Sequence, residues 1–324
     1  MRFLSEFGTF DPAKIMQIYG KIKDITAEYK HIAVALGMFD GMHRGHQSIV
    51  RRALELAKAA KGTAAVFTFA NHPLSVVAPR QRPLAIGDSE LKADILAAMG
   101  VDVLFNINFT REFSRLAPEK FLTLLSANLA PEYVVTGMNY TFGAGGKGTT
   151  RMLSRLATDY GFEAEICPTV LSEGRAISST RIRELIKNGD LFLANEFLGR
   201  PFAYTARVIH GDRRGRALGF PTANLPLDST RVMLPPGVYA ARAVYEGRSY
   251  PALVNIGLRP TFEGREMRLE VNLQNFGEDI YDRLLRVDFL AKLRDERKFG
   301  SAQHLIRQLK RDREAAALYW QKSE

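Results

Sequence analysis

The decapeptide Gly37-Met38-Phe39-Asp40-Gly41-Met42-His43-Arg44-Gly45-His46 places three glycines and two histidines, three apart, directly after an apolar run, Ile32 to Leu36. Glycine lets backbone approach a ligand where a Cβ would obstruct it. Gly45 and His46 lead into a helical period, Ile49, Val50, Ala53, Leu54 and Ala57, and a helix start offers N–H groups to phosphate. Two imidazoles on that first turn can hydrogen-bond a phosphorus centre as charge builds on it, with no covalent step. The spacing therefore predicts a nucleotide phosphate site. A two-histidine metal site fits less well, because zinc needs a third strong ligand and the one cysteine, Cys167, lies in another apolar run.

Further chemistry-bearing stretches follow. Ile177-Ser178-Ser179-Thr180-Arg181-Ile182-Arg183 opens a helical pattern ending at Asn188-Gly189. Its hydroxyls read either as a helix cap or, with Arg183, as ligands of a triphosphate tail, and beside His43 and His46 both roles are expected together. Asn71 and His72 end the run Phe67 to Phe69, and Asn139 and Tyr140 sit in a segment from Gly137 to Gly148 that is too glycine-dense for ordinary packing and predicts a ligand-wrapping loop. Farther on, Gly211 to Arg216 forms a basic loop leading to Gly219-Phe220-Pro221 and a Pro-Thr-Ala-Asn turn. Thr222 and Asn224 are hard oxygen donors suited to Mg²⁺ against phosphate, or simply a polar turn with a capping threonine. Glu270 alternates with Arg268 and Asn272 along a strand pattern; it reads as a solvent-facing acid or as a general base for an alcohol.

The elements that must position these groups are legible from periodicity. Strand candidates at Ile32–Leu36, Ala64–Phe69, Val101–Phe105, Tyr133–Thr136 and Phe162–Thr169 alternate with helices such as Ser89–Met99 and Pro118–Asn128. This α/β alternation predicts a Rossmann-like parallel sheet covered on both faces, with ligands at the strand carboxyl ends. Beyond Gly199-Arg200-Pro201 come strand runs at Tyr204–Ile209, Gly237–Tyr245, Tyr250–Ile256, Arg268–Leu273 and Leu285–Leu290, then a helix from Ser301 to Trp320. They predict an antiparallel β-barrel with a terminal helix. The expected division is 1–188 and 189–324.

The 324 residues, 46% hydrophobic, suffice for two cores. The net charge of +10 is shared evenly by the two parts and suits anionic small substrates; no clustered basic element with interleaved aromatics points to nucleic acid. No apolar run reaches membrane-spanning length, and a single cysteine forms no intrachain disulfide, so a cytoplasmic protein is expected. A class I aminoacyl-tRNA synthetase would share the histidine motif but need a tRNA-binding domain and a lysine-rich loop that the sequence lacks.

In ordered motifs the chain resembles the bacterial bifunctional riboflavin kinase/FAD synthetases: Gly-x-Phe-Asp-Gly-x-His-x-Gly-His at 37–46, Thr-Phe-x-x-His-Pro at 68–73, Ile-Ser-Ser-Thr-x-Ile-Arg at 177–183, and Gly-Phe-Pro-Thr-Ala-Asn-Leu at 219–225. It departs from many relatives at Asn139-Tyr140, Lys147 and Asn272. The resemblance implies an FMN adenylyltransferase domain over 1–188 and a riboflavin kinase domain over 189–324. Riboflavin would be phosphorylated by Mg-ATP, with Glu270 as base, Thr222 and Asn224 on Mg²⁺, and Gly211, Gly219 and Pro221 at the nucleotide. FMN would then attack the α-phosphorus of a second ATP to give FAD. In that reaction His43 and His46 stabilise charge; Gly37, Phe39, Asp40, Gly41, Gly45, Ser178, Ser179, Thr180 and Arg183 hold ATP; and Asn71, His72, Asn139 and Tyr140 line the flavin pocket. The sequence leaves the oligomeric state open.

Overall fold

The computed structural model describes residues 15–25, 28–211, 220–261 and 264–321. Among them the chain divides into two compact units, 15–83 with 88–178, and 84–87 with 179–321.

The first unit is built on six parallel strands: β1 (Gln17–Tyr19), β2 (Ala33–Leu36), β3 (Ala64–Phe69), β4 (Val103–Ile107), β5 (Tyr133–Gly137) and β6 (Glu163–Cys167). Their order across the sheet is β1-β4-β3-β2-β5-β6, every pair parallel. The connecting helices include α1 (Arg44–Ala59), α2 (Ser89–Ala98), α3 (Pro118–Leu129) and α4 (Thr150–Leu156). Every residue of β2 is buried, as a strand covered by helices on both faces must be. Val34, Leu36, Phe67, Phe105, Leu122, Leu125 and Val134 form the core of one face. The order reverses beside β2: chain progress runs outward through β3 and β4 on one side and through β5 and β6 on the other. The crevice at the carboxyl ends of β2 and β5 is thus the topological switch point, where such sheets bind ligands. The edge strand β1 escapes sequence reading because Gln-Ile-Tyr is too short to show a period; it pairs Gln17 with Val103.

The second unit begins with α5 (Ser179–Asn188) and α6 (Leu191–Leu198). The division falls ahead of the expected 188, because α5 buries Ile182, Leu185 and Ile186 and packs on α6, which in turn packs on the barrel. Six antiparallel strands follow: β7 (Phe202–Arg207), β8 (Ala223–Pro226), β9 (Gly237–Tyr245), β10 (Arg248–Thr261), β11 (Gly264–Leu273) and β12 (Leu284–Arg294), ordered β7-β12-β9-β10-β11-β8. The sheet closes on itself where Ile209 N–H donates to the Asn224 carbonyl at 2.8 Å and Tyr204 Oη donates to Pro226 O at 3.0 Å. Tyr204, Tyr239, Val254, Val271, Val287 and Phe289 fill the interior. The β9–β10 hairpin turns on Glu246 and Gly247, both with positive φ (46° and 75°), the primed turn that matches strand twist. The terminal helix α7 (Ala302–Gln321) starts at a Ser301 cap and docks through buried Ala316, the Trp320 indole N–H to Ala241 O (3.0 Å) and the buried Asp312–Arg294 pair (2.8 Å).

Two local expectations are corrected. Residues 223–226 are the strand β8 rather than a turn, since the barrel needs a partner for β11 and the alternation of Ala223, Asn224 and Leu225 supplies it. The glycine-dense stretch is an ordered hairpin, Thr141–Phe142 against Gly148–Thr149. Packing within the unit demands its glycines: a Cβ on Gly143 (φ 72°) would stand 2.7 Å from Pro118, and one on Gly148 would stand 2.6 Å from the Phe142 ring.

Candidate functional site

The loop leaving β2 enters the switch point in a strained course. Phe39, Gly41 and Met42 all have left-handed φ (51°, 76° and 42°), and Phe39 and Met42 are fully buried. Non-glycine residues adopt this conformation only when their surroundings impose it, a habit of functional sites. Here Gly37 departs from its expected role. A Cβ there would stand 2.8 Å from the Phe39 ring, so this glycine makes room for the chain's own aromatic rather than for a ligand. Phe39 in turn packs edge-on to His46, ring centroids 5.4 Å apart.

His43 and His46 do meet on the first turn of α1, with stacked rings 3.6 Å apart. His43 is also the N-cap, accepting the His46 N–H at Nδ1 over 3.2 Å, which leaves its Nε2 to carry a donatable proton. The expectation of free N–H groups is narrowed accordingly. The His46 amide is spent on the cap, whereas those of Arg44 and Gly45 precede the helix ladder. Gly45 leaves space for the His43 ring, and the Ile177 carbonyl lies 3.6 Å from where its Cβ would stand. That contact brings the approach to Ser178 beside the start of α1. Ser179 and Thr180 then open α5, and Arg183 Nε donates to the Leu84 carbonyl at 2.6 Å, so Arg183 also fastens segment 84–87.

At the end of β3 the polar residues serve the scaffold. Asn71 exchanges two hydrogen bonds with the Phe109 backbone (3.0 and 2.7 Å), tying this loop to the one after β4, and His72 Nδ1 accepts the Leu74 N–H at 3.1 Å. Asn139 is exposed, and half-buried Tyr140 stacks on Phe142 at 5.9 Å. Sequence reading missed Lys92, an almost fully buried lysine whose Nζ donates to Phe69 O at 2.9 Å. A signal was present: Lys92 falls three and four residues before Ile95 and Leu96, on the apolar face of α2.

On the barrel, the register sets Glu270 of β11 directly between Asn224 of β8 and Asn255 of β10, close enough for their side chains to share one face. Glu270 is half-buried, not the solvent-facing acid that alternation alone suggests. Asn224 is 6% exposed, and its buried Oδ1 has no hydrogen-bond partner among the described residues. An orphaned amide oxygen beside the Thr222 hydroxyl is a donor set that fits a hard cation such as Mg²⁺. Gly211 abuts the Asn224 amide, where any side chain would collide; Gly219 lies outside the described residues. A cavity of about 210 Å³ opens beside Thr222, walled by Val208, Phe276 and Tyr281, with His210 stacked on Tyr281 at 3.9 Å. A second, of about 520 Å³, shares Pro221, Leu273 and Phe276 and reaches Asn272, Lys310 and Arg313. Asn272 Nδ2 donates to Pro221 O at 2.7 Å across their common wall.

A parallel-sheet unit with a histidine-capped helix at its switch point, joined to a six-stranded barrel with an oxygen-donor face, defines a two-module nucleotide-dependent transferase. The FAD synthetase family model matches residues 25–181 and the riboflavin kinase family model residues 198–320. The chain is 34% identical to the bifunctional riboflavin kinase/FMN adenylyltransferase of Bacillus subtilis (strain 168) over 91% of its own length and 95% of that protein. It is 36% identical to the protein of the same description from Escherichia coli (strain K12), over 86% and 90%. A crystal structure described as a macrolide-efflux protein from Streptococcus pneumoniae superposes with a TM-score of 0.82 at 34% identity, covering 94% of this chain and 99% of that one. Among the described residues no helix is long and apolar enough to cross a membrane. The chain belongs to the bifunctional riboflavin kinase/FMN adenylyltransferases: it phosphorylates riboflavin with ATP to FMN and adenylylates FMN to FAD.

Proposed function

We propose that the two reactions are divided between the modules, adenylyl transfer over 1–188 and phosphorylation over 189–324, each run by the polar cluster of its own fold. The observation that carries this reading is the pairing of Glu270 with Asn224 across adjacent strands, on a face far in sequence from the stacked His43 and His46.

In the barrel, Glu270 takes the proton of the terminal ribityl hydroxyl as that oxygen bonds to the γ-phosphorus and the bond to the β-phosphate oxygen breaks, releasing ADP. Thr222 and Asn224 hold Mg²⁺, which supplies charge neutralisation at the phosphates. Gly211, Gly219 and Pro221 let the nucleotide close on the cavity walled by Val208 and Tyr281, and riboflavin occupies the cavity that reaches Asn272. In the first module an FMN phosphate oxygen attacks the α-phosphorus of ATP and pyrophosphate departs, so no proton need be removed. The Nε2–H of His43 and the His46 ring stabilise charge on the transferring group, and the Arg44 and Gly45 amides add backbone donors. The bend made by Gly37, Phe39, Asp40 and Gly41 fixes those rings. Ser178, Ser179, Thr180 and Arg183 hold the leaving phosphates. Asn71 and His72 shape the flavin-side loop, while Asn139 and Tyr140 border it. The enzyme works in the cytoplasm on small anionic substrates, without nucleic acid or membrane.

Chromatography of riboflavin with Mg-ATP tests the division. His46→Ala should accumulate FMN and stop short of FAD, its adenylyl-transfer turnover falling by roughly a hundredfold or more. FAD made at the parent rate would remove His46 from the mechanism.

A further inference from the structure

Lys92 of α2 is 8% exposed. Its Nζ donates to the Phe69 carbonyl at 2.9 Å and to Thr68 Oγ1 at 3.3 Å, and the fully buried Thr68 hydroxyl passes its own proton to Met38 O at 3.0 Å. One side chain therefore joins the carboxyl end of β3, which continues into Asn71 and His72, to the loop leaving β2, which continues through Asp40 to His43. α2 itself also packs on the 40–42 turn. Taking an ammonium out of water is costly, and an apolar side chain would serve the packing of α2 at least as well: its neighbours Leu91, Ile95 and Leu96 are buried hydrophobics. A cation kept at such a position has an electrostatic or geometric task.

We infer that Lys92 is a positioning residue for adenylyl transfer, locking the His43-bearing loop and the flavin-side loop into one register at the switch point. The inference rests on the assignment of that reaction to His43 and His46.

Burial lowers the Lys92 pKa to about 8, partly opposed by the carboxylate of Asp40, whose charge reaches it from the turn below; β3 contributes only neutral partners, the Thr68 hydroxyl and the Phe69 carbonyl. The ammonium thus surrenders its charge within an accessible range. FAD formation from supplied FMN should fall as pH rises through about 8, and riboflavin phosphorylation by the same chain should lack that step.

Lys92→Met should lower kcat for FAD formation by about tenfold to a hundredfold, the scale of a small misplacement of reacting groups. Its KM values should change less and its pH step should be gone, with riboflavin phosphorylation unchanged. Lys92→Arg, which keeps a charge that does not titrate, should also lose the step while retaining more turnover, and it decides the matter if Lys92→Met fails to fold. Parent-like kcat together with a parent-like pH profile in Lys92→Met, alongside an inactive His46→Ala, overturns the positioning role alone. FAD formation intact in both variants removes the site assignment as well.

Discussion

Glu270→Gln separates chemistry from scaffold most cleanly. Glu270 lies on the outer face of β11, between inward-facing Leu269 and Val271, which are fully buried, and opposite Asn224 and Asn255. Glutamine keeps the length, branching and a hydrogen-bonding oxygen, so the cross-strand contacts survive. For a half-buried site off the core, the stability change should stay within about 0.5 kcal/mol. At roughly 2–4 °C per kcal/mol for a unit of this size, the melting temperature should move by no more than about 2 °C. What glutamine cannot do is accept the hydroxyl proton. Losing a general base slows turnover by about two to four orders of magnitude, or about 2.7 to 5.4 kcal/mol of transition-state stabilisation at 1.36 kcal/mol per tenfold. The loss should appear in kcat for FMN formation, while supplied FMN becomes FAD at the parent rate. Riboflavin turnover unchanged in Glu270→Gln would return the residue to a structural role; a melting point lowered by 5 °C or more would mean that its interactions stabilise the barrel and that the activity loss says nothing about a base.

Arg183→Ala should raise the ATP requirement of FAD formation and also lower the melting temperature, because its Nε–H to the Leu84 carbonyl at 2.6 Å is a charge-assisted bond worth about 1.5–3 kcal/mol; sequence alone had suggested an effect on ATP with little change in stability. Asp312→Ala should cost about 3–5 kcal/mol by stranding the Arg294 guanidinium beneath α7, visible in chemical denaturation as an early loss of the single tryptophan's fluorescence change, and a shift below 1 kcal/mol would show that the helix docks by its apolar contacts alone. For Lys92, the folded pKa of about 8 lies below the ordinary 10.5, so between those values the unfolded chain holds the extra proton and this group's contribution to stability rises with pH. Melting curves of the parent should show that rise relative to Lys92→Met, and parallel curves would refute it.

The sequence determined the two folds and the chemical identity of the sites. Strand–helix alternation and the barrel's strand runs are local patterns, and the motif at 37–46 carries its own structure, since its glycines and histidines interact within one turn of α1. Glu270 was legible as a candidate but not as a partner of Asn224, because a register between strands separated by some forty residues is set by barrel closure, which leaves no mark on either segment. The same closure made 223–226 a strand where the Pro-Thr-Ala-Asn composition reads as a turn. The purpose of Gly37 and of the hairpin glycines also waited for the tertiary structure: a Cβ is forbidden there by Phe39, Pro118 and Phe142, neighbours that only the packed chain brings close. Lys92 makes the same point from the other side. Periodicity puts it on a buried face, but only the fold places an ammonium between two strand ends, because a long-range hydrogen bond depends on where sheet order reverses and not on the residues that flank it.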